Sequence, residues 1–364
     1  MQAPIAARYL ASFAFTLTTL LATSQNVTLP RPSPAATASQ TIGISTVTVK
    51  YSRPAVKGRK VWGQLVPYGW NVQGFGLGNS APWRAGANEN TVLHLADAAT
   101  IEGHAVPAGD YGLFFVINED HTGEVILSKE SRNWGSFFYD PKNDEMRAKI
   151  AVKPTAESTE WLTYDFSNVT RNSAELDLNW EKMQFPVKIE FDVDKIVIAN
   201  AAQELQGQTG FNWTGYSSAA NYVLATKSTE NYEQALKWAD HAINMTPTFT
   251  DISVKAGLLK ALGRAAEAET IMKDAVTIGT ENELNAYGYQ LIADKEQDHA
   301  IEVFIANTQR HPKSANCFDS LGEAYALKGD NKNAIINFKK SLALNPPAAT
   351  KANSEKYLKQ LGAM

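Results

Sequence analysis

Polar and apolar residues alternate along the first half of the chain, a pattern that predicts β-strands. Val47, Val49 and Tyr51 alternate with two threonines and a lysine, as in a half-buried strand. Similar stretches, separated by turn residues, follow at Thr91–Ala96, Tyr111–Ile117, Glu124–Ser128, Arg147–Val152, Trp161–Phe166, Ala174–Trp180 and Phe185–Val193. Many short strands without intervening amphipathic helices predict an antiparallel β-sandwich over residues 41–195.

The second half has helical periodicity and an internal repeat of 34 residues. Leu284, Tyr287, Gly288, Ala300, Phe304 and Pro312 recur as Phe318, Leu321, Gly322, Ala334, Phe338 and Pro346. This spacing resembles tetratricopeptide (TPR) repeats, which implies helix pairs stacked into an α-solenoid. Two weaker copies precede the clear pair, so we predict four repeats over 216–348, starting at 216, 249, 281 and 315. We also expect a connecting helix or linker over 196–215 and a capping helix over 349–364.

The N-terminal segment has the features of an export signal. Arg8 precedes an apolar run that ends in the small residues Ala22-Thr23-Ser24, which suit a signal peptidase. The run is shorter than the roughly 20 residues that span a bilayer, although an uncleaved anchor is the alternative. We predict a signal peptide over 1–24, cleaved after its last residue, and a flexible lead-in over 25–40. The mature protein would then be periplasmic, surface-associated or secreted, with no membrane span.

Composition narrows the classes of partner. Hydrophobic residues make up 44% of the chain and charged residues 20%, and the formal net charge is −4. No basic tail or patch stands out, so we expect no nucleic-acid partner. Cys317 is the only cysteine, which excludes an intramolecular disulfide and predicts a structural thiol in the last repeat.

Several short sequence blocks follow one another in the first half of the chain. They are Trp62-Gly63, Leu65 to Gly69, Trp83 to Thr91, Val106 to Tyr111, Trp134-Gly135 and Tyr139-Asp140. Their order resembles DUF2911, a family of exported bacterial domains without a settled activity, over about residues 38–195. In that family the Pro-Tyr-Gly block runs almost directly into the Trp-Arg block. Here Trp70–Pro82 intervenes, so we expect any pocket beside this segment to be altered.

The block that begins at Trp83 carries the side chains best suited to a ligand. It contains an aromatic ring, a guanidinium, an amide and a carboxylate within the seven residues from Trp83 to Glu89. Arg84 can pair with Glu89, or it can hold a carboxylate or phosphate ligand through its planar fork. Alternatively, Gly86 and Asn88 suit a tight turn that an Arg–Glu pair fastens to the sheet. The candidate ligand-binding residues are Trp83, Arg84, Asn88, Glu89, His94 and Asp110.

The sequence contains no recognised catalytic or cofactor-binding motif. It has no P-loop and no Gly-x-Ser-x-Gly, and its six histidines lack a metal-ligand spacing. We therefore expect a binding protein without cofactor or metal. One alternative is a hydrolase, metal-dependent or not, whose site contains Arg84, Glu89, His94 and Asp110. Another is a carbohydrate-binding module in which Trp70 or Trp83 stacks on a sugar, although such aromatics also plug the ends of sandwiches.

The repeats predict a docking surface for a protein or peptide. In the family, ligands usually meet the exposed, concave face formed by the first helix of each repeat. The candidate partner-binding residues are Asn221, Lys227, Ser253, Lys260, Asn285, Tyr289, Asn316, Asp319 and Glu323. This set lacks the Lys-and-Asn arrangement with which chaperone-binding members hold a terminal carboxylate. A short array of four repeats can instead serve mainly as a spacer.

Overall fold

The computed structural model describes residues 29–364, so the predicted signal peptide lies outside the described residues. An N-terminal β-domain is followed by an array of helices. The strands are β1 (Ala35–Ile42), β2 (Ser45–Ser52), β3 (Asn71–Val72), β4 (Ser80–Ala81), β5 (Thr91–Leu95), β6 (Ala99–Ile101), β7 (His104–Val106), β8 (Gly109–Ile117), β9 (Thr122–Ser128), β10 (Asp144–Ala151), β11 (Lys153–Ser167) and β12 (Ser173–Phe191).

Two antiparallel sheets enclose the core of the β-domain. One has the order β1-β2-β5-β8-β9-β10, and the other has the order β11-β12-β6-β7. Alternate residues of both sheets point inward, so Leu93 and Phe115 of the first pack in one cluster with Trp180 and Phe185 of the second. The predicted antiparallel β-fold is confirmed.

The predicted flexible lead-in is wrong for its second half. Residues 35–40 belong to β1, which pairs with β2 from Ala35↔Ser52 to Ile42↔Ser45. The sequence of β1 is rich in alanine and polar residues, and nearly all of it is exposed or half-buried. Backbone pairing with β2 holds this edge strand in place, together with the small inward side chains of Ala36 and Ala38 and the buried Ile42, which pack on the core.

The last two predicted strands of the β-domain are one long strand. β12 runs unbroken from Ser173 to Phe191, and its register with β11 shifts at Thr159 and Thr163. Glu181 has a φ of +51°, so a local irregularity lies between the two stretches that the alternation pattern had separated. The irregularity interrupts the alternation without ending the strand.

The inserted segment Trp70–Pro82 forms the short hairpin β3–β4 and covers part of the first sheet. Phe114 and Val116 point out of the main core, and together with Ala81 and Tyr139 they form a second apolar cluster against which Trp70 packs. The guanidinium of Arg147 lies 4.9 Å from the centre of the Trp70 ring. β8 is thus buried on both faces because the insertion shields its outer side.

The helical half begins at residue 193 and consists of antiparallel pairs. The helices are α1 (Val193–Glu204), α2 (Trp213–Thr226), α3 (Tyr232–Met245), α4 (Phe249–Ala261), α5 (Ala265–Val276), α6 (Glu281–Ala293), α7 (Gln297–Arg310), α8 (Ala315–Lys328), α9 (Asn331–Ala343) and α10 (Ala348–Gln360). The first helices of the four pairs begin at or within three residues of the predicted repeat starts. Within the described residues, no helix is both long and apolar enough to cross a membrane.

Candidate functional site

A cavity of about 740 Å³ opens at the end of the sandwich beside the Trp83–Glu89 turn. Trp83, Arg84 and Asn88 line it, and so does Trp180 of β12. The inserted hairpin contributes Asn71, Val72, Gln73, Ala81 and Pro82 to its wall. Three of the six candidate ligand-binding residues therefore share one cavity, of a size typical for small-molecule sites.

The backbone of the turn is fixed by its neighbours. Trp83 exchanges two backbone hydrogen bonds with Phe115, at 2.8 and 2.9 Å, which anchor the turn to β8. The carbonyl of Ala85 accepts hydrogen bonds from the hydroxyls of Thr91 (3.0 Å) and Tyr164 (2.9 Å). Ala85 and Asn88 have φ values of +52° and +61°. A left-handed residue other than glycine is strained, and these contacts hold the strain in place.

Three tryptophans build the apolar floor of this region. Trp83 stacks on Trp180 with ring centres 5.8 Å apart and an angle of 17° between the planes. Trp62 meets both rings edge-on, at 5.7 and 5.8 Å. The indole N–H of Trp180 is buried and has no hydrogen-bond acceptor among residues 29–364. The buried indole N–H of Trp62 also has no acceptor among these residues, and an orphaned buried donor costs stability.

Arg84 is half-buried without a carboxylate partner in residues 29–364. Its Nη1 donates to the backbone carbonyl of Asn88 at 2.7 Å, and its Cζ lies 5.1 Å from the centre of the Phe137 ring. Gly135 packs against the guanidinium so closely that a Cβ there would fall 2.4 Å from Cζ. Burial lowers the pKa of Arg84 from its ordinary value, although a guanidinium remains charged.

Glu89 is not the partner of Arg84. Its two carboxylate oxygens accept hydrogen bonds from Nη1 of Arg31, at 2.6 and 2.9 Å, and these bonds lower the pKa of Glu89. Both side chains are about half exposed. The Arg84–Glu89 pair that the sequence suggested as a turn fastener is therefore absent, because the segment preceding β1 supplies the cation instead.

His94 and Asp110 lie on the outer face of the first sheet, away from the cavity. They are cross-strand neighbours of β5 and β8, and Nδ1 of His94 lies 2.7 Å from Oδ1 of Asp110. Both side chains are about half exposed beside Thr48 and Lys50. His94 points outward because its neighbours Leu93 and Leu95 face the core, whereas Arg84 lies in the turn that lines the cavity.

The arrangement does not assemble the site suggested for a hydrolase. Arg84 lines the cavity, Glu89 pairs with Arg31, and His94 with Asp110 forms a third, separate cluster. Within residues 29–364, no group of three or more His, Cys, Asp or Glu side chains is placed to hold a metal ion. The four residues therefore do not converge on one reacting atom.

The two tryptophans considered for sugar stacking are engaged inside the protein. Trp70 packs on the second apolar cluster and Trp83 on Trp62 and Trp180. The large aromatic side chains most exposed in this domain are Phe75 (66%), Trp134 (49%) and Phe138 (40%). Trp70 and Trp83 are therefore part of the packing of the β-domain, whereas the more exposed rings belong to other residues.

The candidate partner-binding residues have different environments in the array. Asn221 and Lys260 are exposed, Ser253 and Asn316 are half-buried, and Lys227 is the left-handed residue that ends α2. Asp319 is almost fully buried, with 5% of its surface exposed. A buried carboxylate that is bonded inside the protein is not available to a partner, so Asp319 is not a docking residue.

Polar side chains at repeat-equivalent positions connect α6, α8 and α10. Tyr289 of α6 donates from its hydroxyl to Oε2 of Glu323 at 3.0 Å, and Tyr357 of α10 donates to Oε1 at 3.1 Å. One turn away, Asp319 accepts hydrogen bonds from Asn353 (2.8 Å) and from the hydroxyl of Ser354. Burial raises the pKa of both Asp319 and Tyr289. The terminal helix α10 therefore takes the place of a further first helix, as a cap should.

Asn285 lies at the open end of this set of bonded side chains on α6, α8 and α10, which we call the polar ladder. It stands 34 residues before Asp319 and one helical turn from Tyr289, yet its buried Oδ1 has no donor within residues 29–364. On α4, Gly257 holds the place in the helix that Tyr289 holds on α6, counted from the first residue of each. The ladder stops here because glycine has no side chain to extend it.

Cys317 is completely buried in α8, and burial raises the pKa of its thiol to about 11. The thiol is therefore protonated at neutral pH and poorly nucleophilic, as expected of a structural cysteine.

A second large cavity, of about 780 Å³, lies where α1 meets the first repeat. Its lining is mainly apolar and includes Leu205, Ala219 and Trp238, and Phe211 at its edge is 85% exposed. The linker between the two halves carried no sequence motif, so sequence reasoning missed this cavity.

Sequence reasoning also missed two cations of the first cavity. Lys57 and Arg59 line it from the loop after β2. The short run Lys57-Gly58-Arg59-Lys60 is the signal that could have located them, and it is a small basic patch that composition alone did not reveal.

Comparison with known families gives one match in each half of the chain. Residues 33–189 match DUF2911, a protein of unknown function, and residues 315–347 match a tetratricopeptide repeat. The protein therefore joins a DUF2911 region to TPR repeats, as the sequence blocks and the 34-residue period predicted. A search of curated proteins gave no match to the chain.

Among solved structures, three similar chains align with less than half of this protein. YrrB, described as a TPR protein with an unusual peptide-binding site, is 20% identical over 45% of this chain and 84% of its own, with a TM-score of 0.29. PilF of Pseudomonas aeruginosa is 19% identical over 42% and 71%, with a TM-score of 0.29. MamA of Desulfovibrio magneticus RS-1 is 17% identical over 43% and 88%, with a TM-score of 0.30.

Proposed function

We propose that this protein is a non-catalytic binding protein whose TPR array docks a protein or peptide partner. The observation that carries the proposal is the stack of helix pairs, one of which matches a tetratricopeptide repeat, because such a stack leaves the first helices on a face that can hold another polypeptide. Asn285 of α6 is half-buried at the open end of the polar ladder, and we propose that its amide, whose Oδ1 has no donor among residues 29–364, turns to bond a docked polypeptide.

The docking surface that we propose is formed by the first helices α2, α4 and α6. The face of α8 toward α10 is already filled, because Asp319 and Glu323 bond to the capping helix. The preceding helices keep Asn221 and Lys260 exposed, and Gly257 is where α4 packs closely against Leu224 of α2. An extended polypeptide fits this open stretch better than the capped end.

We further propose that the protein acts outside the cytoplasm, in the periplasm, on the cell surface or in the medium. The support is the predicted leader over 1–24, with its basic residue, apolar run and small-residue end. Sequencing the N-terminus of protein recovered from the producing cells tests this proposal. A terminus at Gln25 supports export with cleavage, whereas an intact Met1 contradicts it.

Site-specific photo-crosslinking tests the docking proposal. A benzophenone amino acid replaces Asn221 on α2, or Gln309 on the outer helix α7 as the control, and both of these residues are exposed. We expect a discrete adduct from position 221 in the producing cells and none from position 309. Equal adducts from both positions, or none from position 221, would contradict docking on the first helices.

A matched pair of alanine variants then tests the role of Asn285. Asn285→Ala removes the unpartnered amide, whereas Gln290→Ala removes an exposed amide of α6 that bonds to Asp294. Loss of one hydrogen bond lowers affinity by roughly fivefold, so the yield of the position-221 adduct should fall only with Asn285→Ala. Equal yields from the two variants would rule out Asn285 as a docking residue.

A further inference from the structure

We propose that the cavity beside the Trp83–Glu89 turn binds a small organic anion, in which a carboxylate or phosphate is joined to an apolar body. This inference concerns the β-domain and is independent of docking by the repeats. The two ligand forms share one chemistry, a negatively charged oxygen group that cations can hold by hydrogen bonds.

The charge of the lining is the first observation. Lys57, Arg59 and Arg84 line the cavity, and no aspartate or glutamate is among the lining residues. Glu160 accepts a hydrogen bond from the backbone N–H of Lys57 at 2.9 Å but does not line the cavity. A concave site that is lined by cations and by no acidic residue concentrates anions, because its low-dielectric walls focus the electric field of the cations.

The unused donors of the two arginines are the second observation. Arg84 makes one hydrogen bond with residues 29–364, through Nη1, so Nε and Nη2 remain available. Arg59 donates from Nε to the carbonyl of Val56 at 3.0 Å and from Nη2 to that of Ala55, which fixes its guanidinium beside the cavity. A positioned guanidinium loses less conformational entropy when it binds an oxyanion than a free one does.

Trp180 supplies the third observation. It lines the cavity with 2% of its surface exposed, and its indole N–H lacks an acceptor among residues 29–364. An oxygen atom of the ligand would satisfy this donor. The stacked rings of Trp83 and Trp180, together with nearby apolar side chains such as Val66, offer a surface for a flat apolar body.

Calorimetric titration of the full chain with matched small molecules tests the proposal. The probes are 2-naphthoate and its neutral isostere 2-naphthamide, then phenyl phosphate and inorganic phosphate. We expect at least one organic anion to bind, and we expect 2-naphthamide to bind at least tenfold more weakly than 2-naphthoate. Equal affinity for the two naphthalenes, or no binding of either organic anion at millimolar concentration, would overturn the proposal.

The same titration separates the charged and apolar halves of the ligand. We expect phenyl phosphate to bind more tightly than inorganic phosphate, because the phenyl ring adds apolar contact with the tryptophans. Inorganic phosphate that binds as tightly as phenyl phosphate would overturn the apolar half of the proposal. Affinity should also fall in 1 M salt, which screens the cations.

Variants identify the cavity as the site. Arg84→Gln should weaken the binding anion by roughly tenfold to a hundredfold, the range for hydrogen bonds to charged groups. Arg84 also packs under Gly135, so replacing it can disturb the fold as well as the binding. The double variant Lys57→Gln/Arg59→Gln therefore tests the positive charge of the cavity through two residues of an exposed loop. Trp180→Phe keeps an aromatic ring but removes the N–H, and should cost about fivefold.

Lys60→Gln is the matched control, because Lys60 is exposed in the same loop but does not line the cavity. It should leave affinity within a factor of two. An equal loss of affinity in Lys60→Gln and in the double variant would show that general charge, rather than the cavity, binds the anion. That result would overturn the proposed site.

Discussion

Gly288 of α6 has no room for a side chain. A Cβ at this position would lie 2.4 Å from Cζ of Phe304, which is fully buried on α7. Gly322 meets Phe338 in the same way one repeat later, at 2.9 Å. The glycine recurs in the 34-residue pattern because the two helices of each repeat approach closely at this point.

We predict that Gly288→Ala lowers the free energy of unfolding by about 1–3 kcal/mol, the usual cost of overpacking a core. Gly74→Ala is the control, since no neighbouring atom lies within 4 Å of a Cβ there, and it should change stability by less than about 0.5 kcal/mol. Urea unfolding of both variants measures the difference. Equal stabilities would show that the α6–α7 packing relaxes around the added methyl group.

Asp319 makes stability depend on pH. Burial raises the pKa of its carboxyl, so the folded protein holds this proton more tightly than the unfolded chain does. The stability that Asp319 contributes is complete below the pKa of about 4 that its carboxyl has in the unfolded chain. This stability is lost as the pH rises through the higher pKa of the same carboxyl in the folded protein.

We predict that Asp319→Asn makes the free energy of unfolding fall less steeply as the pH rises above about 4. Urea unfolding at a series of pH values measures the slope, and Asp274→Asn, at an exposed aspartate of α5, is the matched control. Parallel curves for Asp319→Asn and the unchanged chain would show that this carboxyl does not titrate differently in the two states.

At the scale of elements, the edge strand β1 is held by backbone pairing with β2 over eight residue pairs. We predict that amides of residues 35–42 that bond to β2 exchange with deuterium much more slowly than those of a flexible segment. The amides of Gly58 and Lys60, which are exposed in the loop after β2 and donate no backbone hydrogen bond among residues 29–364, give the comparison within the same chain. Equally fast exchange in the two segments would favour the lead-in that the sequence had suggested.

Elements with a strong period were predictable from the sequence. The 34-residue repeat located the helix pairs because Gly288 and Phe304 must recur wherever two helices pack closely. β1 was missed because its alanines and polar residues carry no apolar alternation. The candidate site was found only in part: Trp83 and Arg84 belong to one sequence block, but Lys57 and Trp180 reach the cavity by long-range folding.

At the scale of the whole molecule, α1 contacts both halves of the protein. Val193 packs in the core of the β-domain, whereas Ile198 packs in the core of the helices. Asp194 of α1 accepts a hydrogen bond from the hydroxyl of Tyr222 on α2 at 2.8 Å and forms an ion pair with Arg171 of the β11–β12 turn. The helix that connects the two halves, which begins three residues before the predicted start at 196, therefore packs against both of them.

The two proposed sites lie in different halves of the chain and use different chemistry. In these proposals the cavity of the β-domain binds a small anion through its lining cations, whereas the array docks a polypeptide on its first helices. The central claim is that the first helices of the repeats form the docking surface.

Hydrogen–deuterium exchange of the full chain, alone and with the crosslinked partner, tests this claim most directly. The account predicts slower exchange in peptides from α4 and α6 when the partner is bound, with unchanged exchange in α5 and α7. Slower exchange confined to α5 and α7, or to the β-domain, would contradict docking on the first helices.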